Sequence, residues 1–375
     1  MDVDQPTPLL GGLSPRQFMK SHWQRKPLLV RGAVPGLQPL LTRPALFELA
    51  AQDGVESRLV VQESGGGWRM RRGPIARRAL PALSQPQWTL LVQGVDLHLD
   101  AAHALLQRFR FVPQARLDDL MISYATDGGG VGPHFDSYDV FLLQAQGRRR
   151  WRFGRQKDLA LQEGVPLKVL ARFEPQEEHV LEPGDMLYLP PRYAHDGIAE
   201  GECQTYSIGF RAPRQAELAH ELLQRLAEAA GDEGDDAIYR DPAQAAVRAP
   251  GKIPADLHRF AQQAVRAALK NPHALTRALG EYLSEPKPDV WFDGGRAPRR
   301  LQALVLDRRT RMLYDGRHLF VNGESWRASG ADARLMRKLA DERRLGRQDL
   351  ARASEAALGL LASWCESGWA YGEAA

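Results

Sequence analysis

His134-Phe135-Asp136 is followed sixty-one positions after its histidine by His195, and any fold this chain adopts has to bring the three side chains together. Two residues apart, the imidazole of His134 and the carboxylate of Asp136 share one side of the chain wherever the backbone is extended. The flanks favour strand over helix. Gly128-Gly129-Gly130-Val131-Gly132-Pro133 is a flexible approach that no helix interior holds, and Val140-Phe141-Leu142-Leu143-Gln144 is an apolar run of strand length. His195 comes after a turn (Glu182-Pro183-Gly184-Asp185), an apolar strand (Met186 to Leu189) and a Pro190-Pro191 break that no central strand continues through. It is therefore delivered at a strand end. Two histidines and one carboxylate on one face leave three coordination positions open, the arrangement of a non-heme Fe(II) oxygenase.

Such a triplet alone has low specificity, and the neighbouring segments add to it. After Gly147 comes Arg148-Arg149-Arg150-Trp151-Arg152-Phe153, which the spacing predicts as the second arm of a hairpin with residues 140–144. Read with period 2, Arg149, Trp151 and Phe153 share one face and Arg148, Arg150 and Arg152 the other. A guanidinium cannot shed its charge, so an inward Arg149 requires an anionic partner, for which a carboxylate is the natural bidentate match. The competing reading is that these arginines are solvated on an edge strand, and it weighs more for Arg148, Arg150 and Arg152. Asp118-Asp119-Leu120-Met121-Ile122-Ser123-Tyr124 reads as a strand entering the glycine loop. Ser123 is then either a second donor to a bound carboxylate or a strand serine bonded to backbone. Met121, Trp151 and Tyr188 fit either a pocket wall or plain core packing.

Together these residues resemble a known family. The His-x-Asp triplet, a basic residue fifteen positions after His134, and a distal histidine after Gly184-Asp185-Met186-Leu187-Tyr188-Leu189-Pro190-Pro191 are similar to the JmjC-type 2-oxoglutarate oxygenases. Within that group, four segments resemble the bacterial ribosomal oxygenases: His22-Trp23-Gln24-Arg25-Lys26-Pro27-Leu28, Asp118 to Ser123, Gly128 to Asp136, and Tyr138-Asp139-Val140-Phe141. The resemblance spans the whole chain. It implies that His134, Asp136 and His195 ligate Fe(II), that Arg149 holds the distal carboxylate of 2-oxoglutarate with Ser123 as a second contact, and that O2 is the other cosubstrate. It further implies hydroxylation of an arginine β-carbon in a large-subunit ribosomal protein. Relatives that modify a histidine usually carry lysine at the position of Arg149, so arginine there leans toward the bacterial branch. A cationic substrate calls for anionic and aromatic groups near the metal, for which Tyr138 and Asp139 are candidates. By strand parity Asp139 faces away from the metal ligands unless a bulge intervenes, and Tyr138 fits core packing equally well.

The implied fold class is α+β. A double-stranded β-helix (cupin/JmjC) catalytic domain is expected over 1–212, a helical dimerisation region over 213–288 and a winged-helix-like domain over 289–375. Helical pieces are predicted at Pro15 to Lys20, Arg43 to Gln52 and Ala101 to Arg110. In the middle region Leu218, Leu222, Leu223 and Leu226 recur at helical spacing, and a second helical stretch runs from Pro254 to Leu283. An acidic linker, 231–236, separates them. Hairpin strands turn at Asp315-Gly316 and Asn322-Gly323, with helices after them at Ala331 to Leu345 and Gln348 to Ser367. A length of 375 residues suits two or three domains. No apolar run approaches the roughly 20 residues of a membrane span, the start lacks a signal pattern, and Cys203 and Cys365 are too few and too distant for a zinc site or disulfide framework. A cytoplasmic, membrane-free home is expected. The net charge of +4, from 50 basic and 46 acidic residues, permits proximity to ribosomal RNA without requiring it, and Arg69 to Arg72 and Arg296 to Arg300 read as solvated faces. The resemblance implies a homodimer. Two alternatives stay open: the same chemistry on a histidine or another protein or RNA, and a catalytically silent cupin that binds ribosomal particles.

Overall fold

The computed structural model describes residues 2–63, 65–233, 237–269, 272–298 and 300–373. The chain divides into two compact units, Met1–Ala212 and Pro213–Ala375, the second containing both regions that the sequence set at 213–288 and 289–375.

The first unit carries three short helices, α1 (Pro15–Ser21), α2 (Arg43–Ala50) and α3 (Asp100–Gln107). Local chemistry starts the first two. Ser14 accepts from the Gln17 amide while the Gln17 side chain accepts from the Ser14 amide, and Pro15 occupies the first turn, where its missing N–H costs nothing. Thr42 caps α2 in the same sense, with Pro44 behind it. Ten strands complete the unit: β1 (Leu28–Val30), β2 (Ser57–Gln62), β3 (Trp68–Arg72), β4 (Trp88–Val92), β5 (Leu117–Ala125), β6 (His134–Phe135), β7 (Val140–Arg155), β8 (Glu177–Leu181), β9 (Met186–Leu189) and β10 (Tyr193–Phe210). Their order is β1-β9-β7-β10-β5-β4-β2-β3, with β6 added on β10 and β8 on β7. This is the double-stranded β-helix that the sequence led us to expect.

Period-2 alternation sorts the side chains onto two faces. Leu120, Ile122, Phe141, Leu143, Tyr188, Tyr206 and Ile208 point outward into a core closed by Phe18 of α1 and Phe47 of α2. Val140, Leu142, Trp151, Phe153, Leu187 and Leu189 form a second cluster on the inner face. The hairpin predicted around Gly147 is absent. β7 runs unbroken from Val140 to Arg155, and both of its halves pair with β10. Gly147 has φ +63, but it marks a bulge: the register against β10 shifts between Glu200 and Gln204, and a Cβ at 147 would collide with the Glu202 carbonyl. A positive φ is needed by a bulge and by a turn alike, which is why sequence alone chose the turn. Nor is the glycine run before His134 slack. The Gly128 amide donates to the Ala199 carbonyl at 2.9 Å, and the Ala199 amide to the Gly129 carbonyl at 2.9 Å.

The second unit begins with α4 (Gln215–Glu233), α5 (Ala255–Leu269) and α6 (Pro272–Ser284). The single helical stretch expected from Pro254 to Leu283 is thus two helices, separated by residues 270–271, which lie outside the described residues. So do part of the acidic linker, 234–236, and Arg299 of the basic segment. There follow β11 (Ala303–Leu306), β12 (Met312–Tyr314), β13 (His318–Val321), β14 (Glu324–Arg327), α7 (Gly330–Glu342), β15 (Arg344–Leu345), α8 (Arg347–Leu350), α9 (Glu355–Glu366) and β16 (Ala370–Glu373). The two hairpin turns fall where the sequence placed them, between β12, β13 and β14. The helix expected from Gln348 to Ser367 is broken, because Ser354 accepts from the Ala357 amide at 3.1 Å and restarts the chain as α9. Two three-stranded sheets and these helices enclose a core built around Leu304, Leu319, Met336, Leu339, Leu361 and Trp364. Among the described residues no helix is long and apolar enough to cross a membrane.

Candidate metal centre

β6 is only two residues long, but it fixes the site. His134 lies directly opposite His195 on β10, and the ring centroids are 4.3 Å apart. Asp136 follows β6, with its carbonyl accepting the Arg192 amide at 2.7 Å, and its carboxylate reaches to 3.8 Å from His195 Nε2. One donor atom from each of the three residues lies within 4.8 Å of the others. The tautomers follow from the neighbours. His134 Nδ1 is 2.9 Å from the Gly132 carbonyl and His195 Nδ1 is 3.0 Å from the Tyr193 carbonyl. A carbonyl only accepts, so each Nδ1 carries the hydrogen and each Nε2 offers a lone pair. Burial, with His134 adding to it, pushes the His195 pKa down to about 4, although Asp136 and the Tyr193 carbonyl pull the other way. Two imidazoles and one carboxylate around a common point fit a divalent first-row ion with open positions.

Beyond the ligands, β7 and β10 continue the same face. His195, Gly197 and Ala199 lie opposite Phe153, Trp151 and Arg149 respectively. The Trp151 ring is 5.9 Å from the His195 ring and 5.4 Å from Arg149 Cζ, so it lines the site, whereas Tyr188 belongs to the outer core. Gly197 allows the approach, since a Cβ there would lie 2.7 Å from the Trp151 ring.

Arg149 is 4% exposed. Its Nη1 donates to Ser123 Oγ at 2.8 Å and to Thr205 Oγ1 at 3.3 Å, and Thr205 in turn donates to Gln144 at 2.8 Å. Its Nε has no partner, and among the described residues no carboxylate pairs with it. A buried guanidinium without a counter-charge is costly, and a bound anion would relieve it. The Ser123 hydroxyl accepts from Arg149 and gives its one hydrogen to the Thr205 carbonyl at 3.3 Å, the backbone-bonded reading of this residue. On the opposite face of β7 the arginines are matched rather than merely solvated: Arg148 and Arg150 pair with Glu200, Arg150 also with Glu178, and Arg152 with Asp196.

Tyr138 is 38% exposed over the whole residue, yet its hydroxyl end is enclosed. Burial first, then the charges of Asp136 and Asp119, raise its pKa, with a hydrogen bond to Asp136 and the more distant Asp118 adding to the rise. Asp139 is fully buried and turned away from the ligands, as parity requires. It accepts from the Tyr188 hydroxyl at 2.6 Å and from Gln24 Nε2 at 2.9 Å, with Arg116 at 3.6 Å. Gln24, Arg116, Gln144 and Thr205 were not singled out from sequence. Gln24 belongs to the His22-to-Leu28 motif, but its partner is 115 positions away.

Residues 104–218 match the JmjC domain family, and residues 264–371 match a ROXA-like winged helix. The ribosomal protein uL16 3-hydroxylase of Escherichia coli (strain K12) is 33% identical over 328 residues, covering 82% of this chain and 84% of that protein. The chain belongs to the ribosomal oxygenase family. A probable ribosomal oxygenase of Haemophilus influenzae is 37% identical over 210 residues, 55% of this chain and 52% of that one. Among solved structures, Escherichia coli YcfD superposes with a TM-score of 0.84 at 29% identity, covering 96% of this chain and 98% of its own. Its complex with cobalt and 2-oxoglutarate gives 0.81 at 29% identity, over 96% and 99%. Like its family, this ribosomal oxygenase is a 2-oxoglutarate-dependent enzyme, with Fe(II) as cofactor and O2 as second cosubstrate.

Proposed function

We propose that this oxygenase hydroxylates the β-carbon of an arginine in a large-subunit ribosomal protein. In this reading His134, Asp136 and His195 hold Fe(II), and Arg149, with Ser123, receives the distal carboxylate of 2-oxoglutarate. The observation that carries it is the buried, uncompensated Arg149 on the same inner face as His195. When bound, the metal with 2-oxoglutarate and O2 supplies the oxidising power: the oxoacid loses CO2 to become succinate, and one oxygen atom enters a C–H bond of the substrate.

The chain's own residues place and shield the reactants. The carbonyls of Gly132 and Tyr193 hold both imidazoles with Nε2 toward the metal. Trp151 and Phe153 wall the interior against water. Tyr138, under the negative field of Asp136 and Asp119, provides the aromatic and anionic surroundings that a guanidinium seeks. Asp139 acts at one remove, tying Tyr188 and Gln24 beneath the segment that carries Tyr138. The similarity to a uL16 3-hydroxylase, with arginine rather than lysine at 149, favours an arginine over a histidine target.

We take 1–212 as the catalytic domain, 213–288 as a helical dimerisation region and 289–375 as the winged helix. Support for a homodimer comes from α5, which leaves Leu257, Val265 and Leu269 exposed along its length. A cytoplasmic location close to ribosomal RNA follows from the substrate. The test is mass spectrometry of large-subunit ribosomal proteins incubated with the enzyme, Fe(II), 2-oxoglutarate and O2, beside His134→Ala. One added oxygen on one arginine, absent from the control, is the expected result. Succinate formation without a modified ribosomal protein would leave the chemistry standing and remove the substrate. Oxygen on a histidine would select the alternative target, and no turnover would leave a silent binder.

A further inference from the structure

We infer that an arginine ridge beside the metal centre binds the phosphate backbone of RNA that accompanies the protein substrate; this rests on the ribosomal reading above. β3 closes one end of the sheet, and among the described residues only β2 pairs with it. It exposes Arg69, Arg71 and Arg72, and the turn that follows, Arg77–Ala79, adds exposed Arg77 and Arg78. Arg69 has a single distant carboxylate, Glu63 at 4.0 Å, while both side chains stay largely in solvent. Among the described residues no carboxylate pairs with Arg71, Arg72, Arg77 or Arg78. On the outer face of β7, by contrast, Arg148, Arg150 and Arg152 each have an acidic partner. The ridge is therefore an exposed positive strip without the acidic partners that neutralise the exposed arginine row of β7.

Basic side chains on an edge strand also deter edge-to-edge pairing. That accounts for β3 but not for Arg77 and Arg78, which lie beyond the strand. The location is the second observation. Trp68 opens β3, and its ring lies against Gly132, where a Cβ would be 2.9 Å from Trp68 Cζ2. The Gly132 carbonyl is the one that orients His134. The strip thus starts one residue after a side chain that touches the metal-ligand loop, with Arg72 on the Trp68 face of β3 and Arg69 and Arg71 on the other. A free, arginine-bearing ribosomal segment would be repelled by such a strip, whereas the same segment arriving with RNA brings the counter-charge. Arg69 and Arg71, on one face and about 7 Å apart along the strand, make a row rather than a pocket, which suits a backbone and not a single small anion.

The test is anisotropy of a fluorescein-labelled A-form RNA hairpin titrated with the full-length protein across a range of KCl concentrations. Replacing Arg71, Arg72, Arg77 and Arg78 together by alanine is expected to reduce the slope of log affinity against log salt by about 3, at 0.7–0.9 per phosphate contact. A matched variant, Arg240→Ala/Arg248→Ala/Arg259→Ala/Arg266→Ala, controls for net charge, and melting temperatures verify folding of both. No binding of the hairpin, equal losses in the two variants, or a ridge variant that binds like the wild type would each overturn the proposal. Hydroxylation of the isolated ribosomal protein should persist in the ridge variant. If the unmodified enzyme hydroxylates no ribosomal arginine, the substrate reading fails whatever the hairpin shows.

Discussion

Arg149 keeps a charge in the interior that Ser123 and Thr205 can orient but not neutralise. Replacing it by glutamine removes one charge-assisted anchor, worth about 1.5–3 kcal/mol, so the KM for 2-oxoglutarate should rise roughly 10- to 150-fold in a succinate-release assay. Metal affinity, measured by calorimetry with Co(II), should stay within about twofold; a parallel loss of metal would mean that Arg149 supports the ligands instead. His195 makes a second prediction. Its pKa is about 4 in the fold against an ordinary 6.5, so as pH falls the unfolded chain takes up the proton first. The contribution to stability is whole above pH 6.5 and shrinks as pH falls toward 4, by on the order of 3 kcal/mol in the metal-free protein. Urea denaturation at pH 7 and pH 5 checks this, and His195→Asn should lose less stability over that interval than the wild type. At this scale the sequence was legible where one face of one strand carried the meaning: the ligand triad by its types and spacing, Arg149 by period 2. It was not legible where the partner lay far along the chain, as with Gln24 and Asp139 or Gln144 and Thr205.

Elements were readable when they announced their own ends. Ser14 and Pro15 start α1, Thr42 and Pro44 start α2, and Glu182 to Asp185 turn the chain into β9. They were misread when one residue type serves two geometries. Gly147 has the positive φ of a turn but is a bulge, because whether β7 continues depends on β10 lying alongside it, and no local signal carries that. The same dependence makes Gly197 a sensitive position. Gly197→Ala would drive a methyl group into the Trp151 ring, costing about 1–3 kcal/mol in stability. Because that ring faces His195, the tryptophan emission should also lose its response to Co(II). A variant that melts and binds metal like the wild type would show that the two strands separate there at no cost.

For the whole molecule, the two compact units divide the labour, the first holding the metal centre and the second holding the exposed apolar residues of α5. If the proposed homodimer forms through α5, Val265→Asp together with Leu269→Asp should halve the mass seen in sedimentation velocity while leaving the melting of the catalytic unit unchanged. An unaltered mass would place the contact elsewhere. The succession of strands and helices was legible from hydrophobic period and breaker residues, but the break between α8 and α9 depended on a cap at Ser354 inside a run that contains neither glycine nor proline near it. The continuous pairing of Arg148–Arg155 with β10 has one more consequence. It works as a ruler: Arg149, the proposed cosubstrate anchor, and His195, the proposed ligand, are graduations on two strands held in one register, four ladder steps apart. Inserting a single residue between 149 and 153 would turn every later side chain of β7 to the wrong face. Inserting several at the exposed turn around Gly164, where nothing packs on the chain, would change only the length of a loop. A longer turn there would leave the span between Arg149 and His195 unchanged.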